Sequence, residues 1–272
     1  MINYNSRLIT SEEFRLGVPN RGLYFGDGIF ETMVIEHHNV RFFELHWERI
    51  KTGLALLGID LPFDSAALRN QIQEVYEKNL DHARIKLTIW RDGAGKYAPE
   101  TNKAAYLIES ALNKPRKTMI TEAAISKNVK LQRHVYSHLK SISALTYVLA
   151  SKERNDRNLE ELILETHDGN LAEASSSNLF FYNSTKALWS TPPLSSGCIA
   201  GVARQHLINQ MKNRKLNFTE ENVKFAELGG HYSIFLTNVT GVSQLLKLEH
   251  VHLSASDTVF TTIQSLFKEG NS

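Results

Sequence analysis

One lysine of the chain lies where its amine could react with an aldehyde. Lys140 belongs to His138-Leu-Lys-Ser-Ile-Ser-Ala-Leu145, directly before a stretch with apolar residues at helical spacing. The positive end of a helix dipole and partial burial both lower the pKa of a lysine, which favours the neutral amine. A neutral amine attacks a carbonyl carbon and forms a Schiff base. Taken alone, the residue is more simply explained as a solvated surface lysine.

A carboxylate suited to a charged nitrogen follows in the second half of the chain. Glu173 lies in Leu171-Ala-Glu-Ala-Ser-Ser-Ser-Asn178, where small residues precede an apolar strand. A carboxylate enclosed in this way can pair with a protonated pyridine nitrogen and keep that ring an electron acceptor. The alternative is an acidic residue in a surface turn.

Two further segments have the pattern of anion-binding turns. Gly201 precedes a predicted helix, so the backbone N–H groups of Val202 and Ala203 are expected to meet a phosphate. The segment Thr237-Asn-Val-Thr-Gly241 ends a predicted strand with hydroxyl and amide donors. Arg49 is a candidate ion-pair partner for the same phosphate. Each of these patterns is also common in ordinary turns.

Other familiar signatures are incomplete. Gly26-Asp-Gly28 lacks the third glycine of a dinucleotide-binding turn, and Gly93-Ala-Gly-Lys96 lacks the hydroxyl residue that follows the lysine of a P-loop. His134 and His138 have the spacing of paired metal ligands on a helix, but no acidic residue lies between them and the local pattern is not helical. The sequence therefore predicts no metal site.

The composition excludes several classes of protein. The chain has 272 residues, 42% of them hydrophobic, and a formal net charge of +2. This near balance of charge gives no reason to expect a nucleic-acid or anionic membrane partner. No stretch approaches the roughly 18 apolar residues of a membrane span. The single cysteine, Cys198, excludes an internal disulfide and fits a reducing compartment. We expect a soluble cytoplasmic protein.

Hydrophobic periodicity predicts mixed helices and strands in both halves of the chain. In the first half it predicts strands over 29–36 and 83–90 and helices over 44–57 and 65–79. In the second half it predicts strands over 123–131 and 232–237, helices over 143–155 and 202–214, and a hairpin of 162–166 with 178–182 around Asp168-Gly169. Leu145, Val148 and Leu149 share one side of the helix over 143–155.

The two halves are separated by a polar segment over about 113–121, which we interpret as a linker. Strands and helices do not alternate strictly, so the pattern favours an α+β protein of two mixed α/β domains over one doubly wound sheet. The predicted domains are a small N-terminal domain over 1–112 and a larger domain over 122–272.

Taken together and in this order, six segments resemble the class IV aminotransferase family of fold-type IV pyridoxal-phosphate enzymes. They are Phe25-Gly-Asp-Gly-Ile-Phe-Glu-Thr32, His46-Trp-Glu-Arg-Ile50, Lys140, Glu173 to Asn178, Gly201-Val-Ala-Arg204 and Thr237-Asn238. The resemblance implies the fold of D-amino-acid and branched-chain aminotransferases, with pyridoxal 5'-phosphate between the two domains. It also implies a small-molecule amine substrate and a homodimer.

The resemblance assigns roles residue by residue. Lys140 is the catalytic residue that forms the Schiff base and moves the proton. The cofactor-binding residues are Arg49, Glu173, Asn178, Gly201, Val202, Ala203 and Thr240, and the substrate-binding residues are Phe30, Glu31, Lys96 and Tyr97. Ala203 replaces a threonine that many relatives carry. One side-chain hydrogen bond to the phosphate is therefore missing, and we expect weaker cofactor binding.

Three features favour a 4-amino-4-deoxychorismate lyase, which forms 4-aminobenzoate and pyruvate in folate synthesis. The chain has Arg91-Asp-Gly93 where D-amino-acid aminotransferases typically carry an Arg-x-His clamp for a carboxylate. The loop Gly95-Lys-Tyr97 resembles the lyases, and Thr237-Asn238 resembles them more than the Thr-Gly of branched-chain enzymes. The alternative is a branched-chain or other amino-acid aminotransferase. A non-catalytic binding or scaffold protein is a third interpretation.

Overall fold

The computed structural model describes residues 1–76 and 82–269. They form two compact units, the first comprising Met1–Lys114 and Leu139–Ala144, the second comprising Pro115–His138 and the residues from 145 onward. The chain therefore returns briefly to the first unit for the segment that carries Lys140. No helix of the described chain is long and apolar enough to cross a membrane.

The first unit is an antiparallel sheet with two helices packed on it. In chain order its elements are β1 (Ile2–Tyr4), β2 (Arg7–Ile9), α1 (Arg21–Phe25), β3 (Gly28–Glu36), β4 (Asn39–Val40), α2 (Phe43–Leu57), α3 (Ser65–Val75), β5 (His82–Arg91) and β6 (Ala104–Leu112). The strand order among the described residues is β2-β1-β6-β5-β3-β4. The strands and helices predicted for this half are confirmed, except that residues 77–79 of the second predicted helix lie outside the described residues.

The core of the first unit follows from the two periodicities of the sequence. Alternate residues of β3 and β5, such as Met33 and Ile85, are buried against the apolar stripes of the helices, which include Ile50 and Leu68. Helix α2 ends where Gly58 takes a left-handed conformation and donates its N–H to Leu54 and Ala55 carbonyls. The sheet is thereby covered on the helix side by apolar side chains of α2 and α3.

The second unit is built on a larger mixed sheet. Its elements are β7 (Met119–Ile120), β8 (Ala123–Leu131), α4 (Leu145–Asp156), β9 (Glu161–Thr166), β10 (Leu171–Ala174), β11 (Ser177–Asn183), β12 (Leu188–Thr191), α5 (Val202–Asn213), β13 (Phe218–Glu220), β14 (Tyr232–Asn238), β15 (Gly241–Leu245), β16 (Lys247–Leu248), β17 (Val251–His252) and α6 (Asp257–Lys268). Among the described residues, the strands follow the order β17-β16-β8-β9-β10-β11-β14-β15-β7, with β12 joining β11 to β13.

One expectation for this half needs correction. The strand that pairs with β9 around Asp168-Gly169 is β10, and the run 178–182 belongs to the next strand, β11. The small residues of β10 gave too weak an apolar signal to be recognised as a strand. The polar segment over 113–121 also contains β7, which pairs in parallel with β15 and so belongs to the second unit.

Helix α4 is confirmed, but its large apolar residues face outward. Leu145, Val148 and Leu149 are 66%, 59% and 49% exposed, whereas Ala150 and Glu153 are buried. Three large apolar side chains on one exposed helix face are unusual unless that face binds a partner.

Candidate active site

Lys140 is positioned by backbone pairing with β3. The Phe30 N–H donates to the Lys140 carbonyl at 2.8 Å, and the Ile142 N–H donates to the Gly28 carbonyl at 3.1 Å. Helix α4 begins only at Leu145, so Lys140 is not at a helix N-terminus and the dipole argument for its reactivity does not apply. The ammonium nitrogen lies 4.0 Å from the centroid of the Phe30 ring, whose face attracts a cation.

Glu31, the residue after Phe30 on β3, forms a buried cluster with two ionisable side chains of α2. Arg49 of α2 donates to both carboxylate oxygens of Glu31, from Nε to Oε1 at 2.7 Å and from Nη2 to Oε2 at 2.6 Å. His46, one turn earlier on α2, contacts Oε2 through Nδ1 at 2.7 Å. Glu31 is 1% exposed. We name Glu31, His46 and Arg49 the Glu31 cluster.

The charges of the Glu31 cluster are set by competition between burial and ion pairing. Burial alone raises the pKa of Glu31, but the guanidinium of Arg49 and the hydrogen bond from His46 lower it to about 2. Burial lowers the pKa of His46 in spite of its carboxylate neighbour. The neutral imidazole then donates its Nδ1–H to Glu31. This engagement of both Glu31 oxygens favours a role in orienting Arg49 over direct contact with substrate.

The ion pairs of Glu31 predict a pH-dependent contribution to stability. Glu31→Gln leaves the largely buried Arg49 guanidinium facing a neutral amide, so we expect the free energy of unfolding at pH 7 to fall by about 3 kcal/mol. The pKa of Glu31 is about 2 in the folded protein, against roughly 4.3 in an unfolded chain. The stabilisation is therefore present above roughly pH 4.3 and is lost as the pH falls toward 2.

Urea unfolding of wild type and variant between pH 7 and 3 measures this difference. Glu44→Gln is the matched control, because Glu44 also pairs with an arginine but is 74% exposed at its side chain. The control is expected to change stability by less than about 1 kcal/mol. Equal losses in the two variants would contradict the assignment.

The second set of site residues surrounds Glu173 on β10. Its Oε1 accepts the Tyr147 hydroxyl hydrogen at 2.6 Å, and its Oε2 accepts the Ile199 N–H at 3.1 Å. Burial, and then the Glu173 charge, raise the pKa of Tyr147, so this hydroxyl stays protonated and donates. Two donors thus fix the orientation of a buried carboxylate. Sequence reasoning missed Tyr147, since its helix was interpreted only through its apolar residues.

The N-terminus of α5 lies beside Asn178 and has no side-chain cap. Gly201 is the N-cap and has no side chain that could accept a hydrogen bond from the first turn. Asn178 donates to the Ile199 carbonyl at 2.8 Å, and its Oδ1 is 2.0 Å from where a Cβ on Gly201 would lie. Only glycine fits there. The N–H groups of Val202 and Ala203 in this first turn have no helical acceptor, which suits an anion.

The hydroxyl beside this helix end is that of Thr237. Thr237 pairs with Asn178 across β14 and β11, so both side chains are on one face of the sheet. Within the described chain, its buried Oγ1 has no hydrogen-bond partner. Thr240 instead donates both its N–H and its hydroxyl to Asn238 Oδ1, at 2.9 and 2.5 Å. The phosphate contact expected from Thr240 stays a prediction, and Thr237 is a further candidate donor.

Lys96 and Tyr97 lie in the loop between β5 and β6, in the first unit. Both side chains are exposed, Tyr97 to 89%. Their backbone carbonyls, in contrast, accept hydrogen bonds from the buried guanidinium of Arg21. The loop therefore presents these two side chains outward from a fixed backbone.

Comparison with known proteins defines the class of enzyme. Residues 28–247 match the family model of amino-transferase class IV, and the chain belongs to this family. It is 25% identical to a D-alanine aminotransferase of Bacillus licheniformis over 241 residues, covering 87% of this chain and 84% of that protein. It is 26% identical to an aminodeoxychorismate lyase of Bacillus subtilis (strain 168) over 284 residues, covering 99% and 94%.

Solved structures agree on the fold. The crystal structure of a 4-amino-4-deoxychorismate lyase from Pseudomonas aeruginosa superimposes with a TM-score of 0.86 and 23% identity, covering 99% of both chains. The predicted α+β architecture of fold type IV is thereby confirmed. The protein is a pyridoxal-phosphate enzyme, as the family is.

The residues described above fit this cofactor. The uncapped first turn of α5 and the unpartnered Thr237 hydroxyl are donors suited to a phosphate. In the second unit, the buried Glu173 carboxylate is of the kind that pairs with a protonated ring nitrogen. In the first unit, Lys140 carries the kind of amine that reacts with an aldehyde. The only hydrogen-bond donor of Ala203 is its backbone N–H, because its side chain is a buried methyl group.

Proposed function

We propose that the protein is a 4-amino-4-deoxychorismate lyase that forms 4-aminobenzoate and pyruvate. The hydrogen bonds of Arg91 are the observation that argues against a D-amino-acid aminotransferase. This arginine is 5% exposed and donates to Asp27 Oδ2 at 3.0 Å, to the Gly58 carbonyl at 2.8 Å and to the Leu57 carbonyl at 2.5 Å. A guanidinium engaged in this way has little capacity left for a substrate carboxylate, and Gly93 replaces the histidine of the clamp.

The similarity to the Bacillus subtilis lyase gives further support. That protein aligns over 99% of this chain and 94% of its own length, whereas the D-alanine aminotransferase aligns over 87% and 84%. The more complete alignment favours the lyase, although the two identities are nearly equal. A branched-chain or other L-amino-acid aminotransferase is the alternative that the experiment below distinguishes.

The proposed mechanism assigns one task to each group of residues. When bound, pyridoxal phosphate supplies an aldehyde for the substrate amine and a ring that accepts an electron pair. Lys140 Nζ would be the base that takes the proton from the substrate carbon that bears the nitrogen. Glu173 pairs with the ring nitrogen and keeps it protonated, while the Tyr147 hydroxyl and the Ile199 N–H hold the Glu173 carboxylate in place.

The remaining tasks are anion binding and release of the leaving group. The N–H groups of Val202 and Ala203 and the Thr237 hydroxyl would bind the phosphate. Arg49, which Glu31 orients, is the candidate ion-pair partner for a phosphate in the first unit. Loss of the enolpyruvyl group as pyruvate is driven by aromatisation of the substrate ring to 4-aminobenzoate. The ring C–O bond breaks, and its electron pair leaves with enolpyruvate. Lys140 Nζ would give the proton it holds to the methylene carbon of enolpyruvate, which forms pyruvate.

Production of 4-aminobenzoate tests the proposal. Protein loaded with pyridoxal phosphate is mixed with enzymatically generated 4-amino-4-deoxychorismate, and the product is followed by fluorescence. We expect turnover in wild type and in a Lys152→Ala control, since Lys152 is an exposed partner of Asp156. No product from protein that binds the cofactor covalently would overturn the lyase assignment. Branched-chain L-amino acids with 2-oxoglutarate then test the aminotransferase.

We also propose that the protein is cytoplasmic and takes part in folate synthesis. We propose in addition that it is a homodimer. The exposed apolar face of α4, formed by Leu145, Val148 and Leu149, supports a partner subunit because its exposure to water is unfavourable. Analytical ultracentrifugation decides between a monomer of 30.8 kDa and a species of twice that mass.

A further inference from the structure

The loop between β5 and β6 is fastened by a buried arginine from α1. Arg21 is 4% exposed, and its Nη1 donates to the carbonyls of Gly95 at 3.2 Å and Lys96 at 2.5 Å. Its Nη2 donates to the Tyr97 carbonyl at 3.2 Å, and its Nε donates to Asp27 Oδ2 at 2.8 Å. One guanidinium therefore fixes three successive carbonyls of the loop.

Arg91 fastens the other end of the same loop. It donates to Asn102 Oδ1 at 2.8 Å and, through Nε, to the same Asp27 oxygen that Arg21 uses. Asp27 thus neutralises two buried arginines, one at each end of the loop. We name Arg21, Asp27 and Arg91 the arginine clamp.

The clamp holds the loop backbone and leaves its side chains outside. Lys96 and Tyr97 are exposed, and the Tyr97 ring lies 5.7 Å from that of Phe25, over which the Arg21 guanidinium is placed. Gly95 has a φ of +97°, and a Cβ there would lie 2.5 Å from the Ala98 carbonyl oxygen. The loop is therefore adapted to one backbone conformation.

The clamp is continuous with the strand that positions Lys140. Asp27 immediately precedes β3, whose first residues pair with the Lys140 segment through the Gly28 carbonyl and the Phe30 N–H. A displacement of Asp27 would be transmitted both to the loop and to the start of this pairing. The same short stretch of chain thus supports the candidate catalytic lysine and the candidate substrate loop.

We infer that the arginine clamp is a set of positioning residues that present Lys96 and Tyr97 to a carboxylate of an anionic substrate. The inference rests on the proposed function for its substrate, and on the hydrogen bonds above for its geometry. A loop that is already ordered loses little conformational entropy when it binds, so loosening it weakens substrate binding. A lysine ammonium forms charge-assisted hydrogen bonds with a carboxylate.

Trypsin cleavage after Lys96 tests the clamp without any assumption about activity. Trypsin must reach the Lys96 carbonyl, which Arg21 holds. Arg21→Lys keeps the charge next to Asp27 but loses the planar set of donors, so we expect cleavage after Lys96 about tenfold faster. Arg69→Lys, at an exposed salt bridge, is the control and leaves the rate unchanged. If Arg21→Lys does not fold, Gly95→Ala strains the same loop with Arg21 intact.

Steady-state kinetics test the role in substrate recognition. With 4-amino-4-deoxychorismate, we expect Arg21→Lys to raise KM about tenfold while kcat stays within about twofold. The visible absorption of the bound cofactor is unchanged. In a Lys96→Met background the same substitution has no further effect on KM, because it acts through the loop side chain.

Each outcome decides a separate claim. Unchanged trypsin cleavage in Arg21→Lys and in Gly95→Ala overturns the clamp itself. Faster cleavage with unchanged KM overturns the role in recognition. If neither 4-amino-4-deoxychorismate nor L-leucine is converted by wild type, the proposed function and the recognition claim both fail, and the cleavage pattern still decides whether Arg21 fixes the loop.

Discussion

Lys140→Ala is expected to abolish covalent binding of pyridoxal phosphate and to lower turnover by at least about 10³-fold. The side chain supplies both the amine for the aldehyde and the base for proton transfer, and loss of a positioned base alone costs about 10² to 10⁴ in rate. The fold should survive, because the Lys140 segment is held through its backbone by Phe30 N–H and Gly28 carbonyl contacts that need no lysine.

Visible absorption, and mass spectrometry after borohydride reduction, measure covalent attachment in this variant directly. Wild type should gain the mass of the reduced cofactor at the peptide that contains Lys140, and Lys152→Ala should behave like wild type. An undiminished absorption band in Lys140→Ala would show that a different lysine binds the aldehyde.

Glu173→Gln is expected to lower kcat by about 10² to 10³-fold while covalent attachment of the cofactor is retained. The amide is nearly isosteric with the carboxylate but carries no charge, so it no longer keeps a ring nitrogen protonated. Its oxygen still accepts from the Ile199 N–H, and its NH2 group can donate to the Tyr147 hydroxyl oxygen, which then acts as an acceptor. The loss therefore falls on the electron-accepting function of the ring and not on the structure around it.

Tyr147→Phe is the matched comparison for Glu173→Gln. It removes one neutral donor to Glu173 and leaves the Ile199 N–H and the charge in place, so we expect a loss of only about five- to tenfold. Stopped-flow absorption measures the rate of the first turnover in both variants, before product release. A Glu173→Gln enzyme as fast as Tyr147→Phe would exclude Glu173 as the partner of the ring nitrogen.

Local patterns predicted the parts of this protein that local interactions determine. The strand over 123–131 and the helix beginning at Val202 have clear periodicity, and Gly201 marks the start of α5 as expected. The carboxylate of Glu173 was singled out because small residues and an apolar strand surround it. These features depend on neighbours in the sequence, so the sequence alone contained the signal.

Contacts between distant segments account for what the sequence did not predict. Lys140 was expected to be activated by a helix end, but it is held against β3, more than a hundred residues earlier in the chain. Thr237 and Thr240 both carry hydroxyls in one short segment. Only the three-dimensional structure shows that Asn238 accepts a hydrogen bond from the Thr240 hydroxyl, while the Thr237 hydroxyl has no hydrogen-bond partner among the described residues. Spacing cannot tell which polar group already has a partner.

The return of the chain to its first unit at Leu139–Ala144 restricts how this gene can be recombined with those of its relatives. A chimaera with a single crossover near residue 114 would combine β3 from one parent with the segment Leu139–Ala144 from the other. The backbone pairs at Gly28 and Phe30 would tolerate that exchange, since they involve no side chains. A residue other than glycine at position 26 would not be tolerated, because its Cβ would lie 2.9 Å from the Ser143 side chain. Functional chimaeras should therefore inherit residues 26–30 and 139–144 from the same parent.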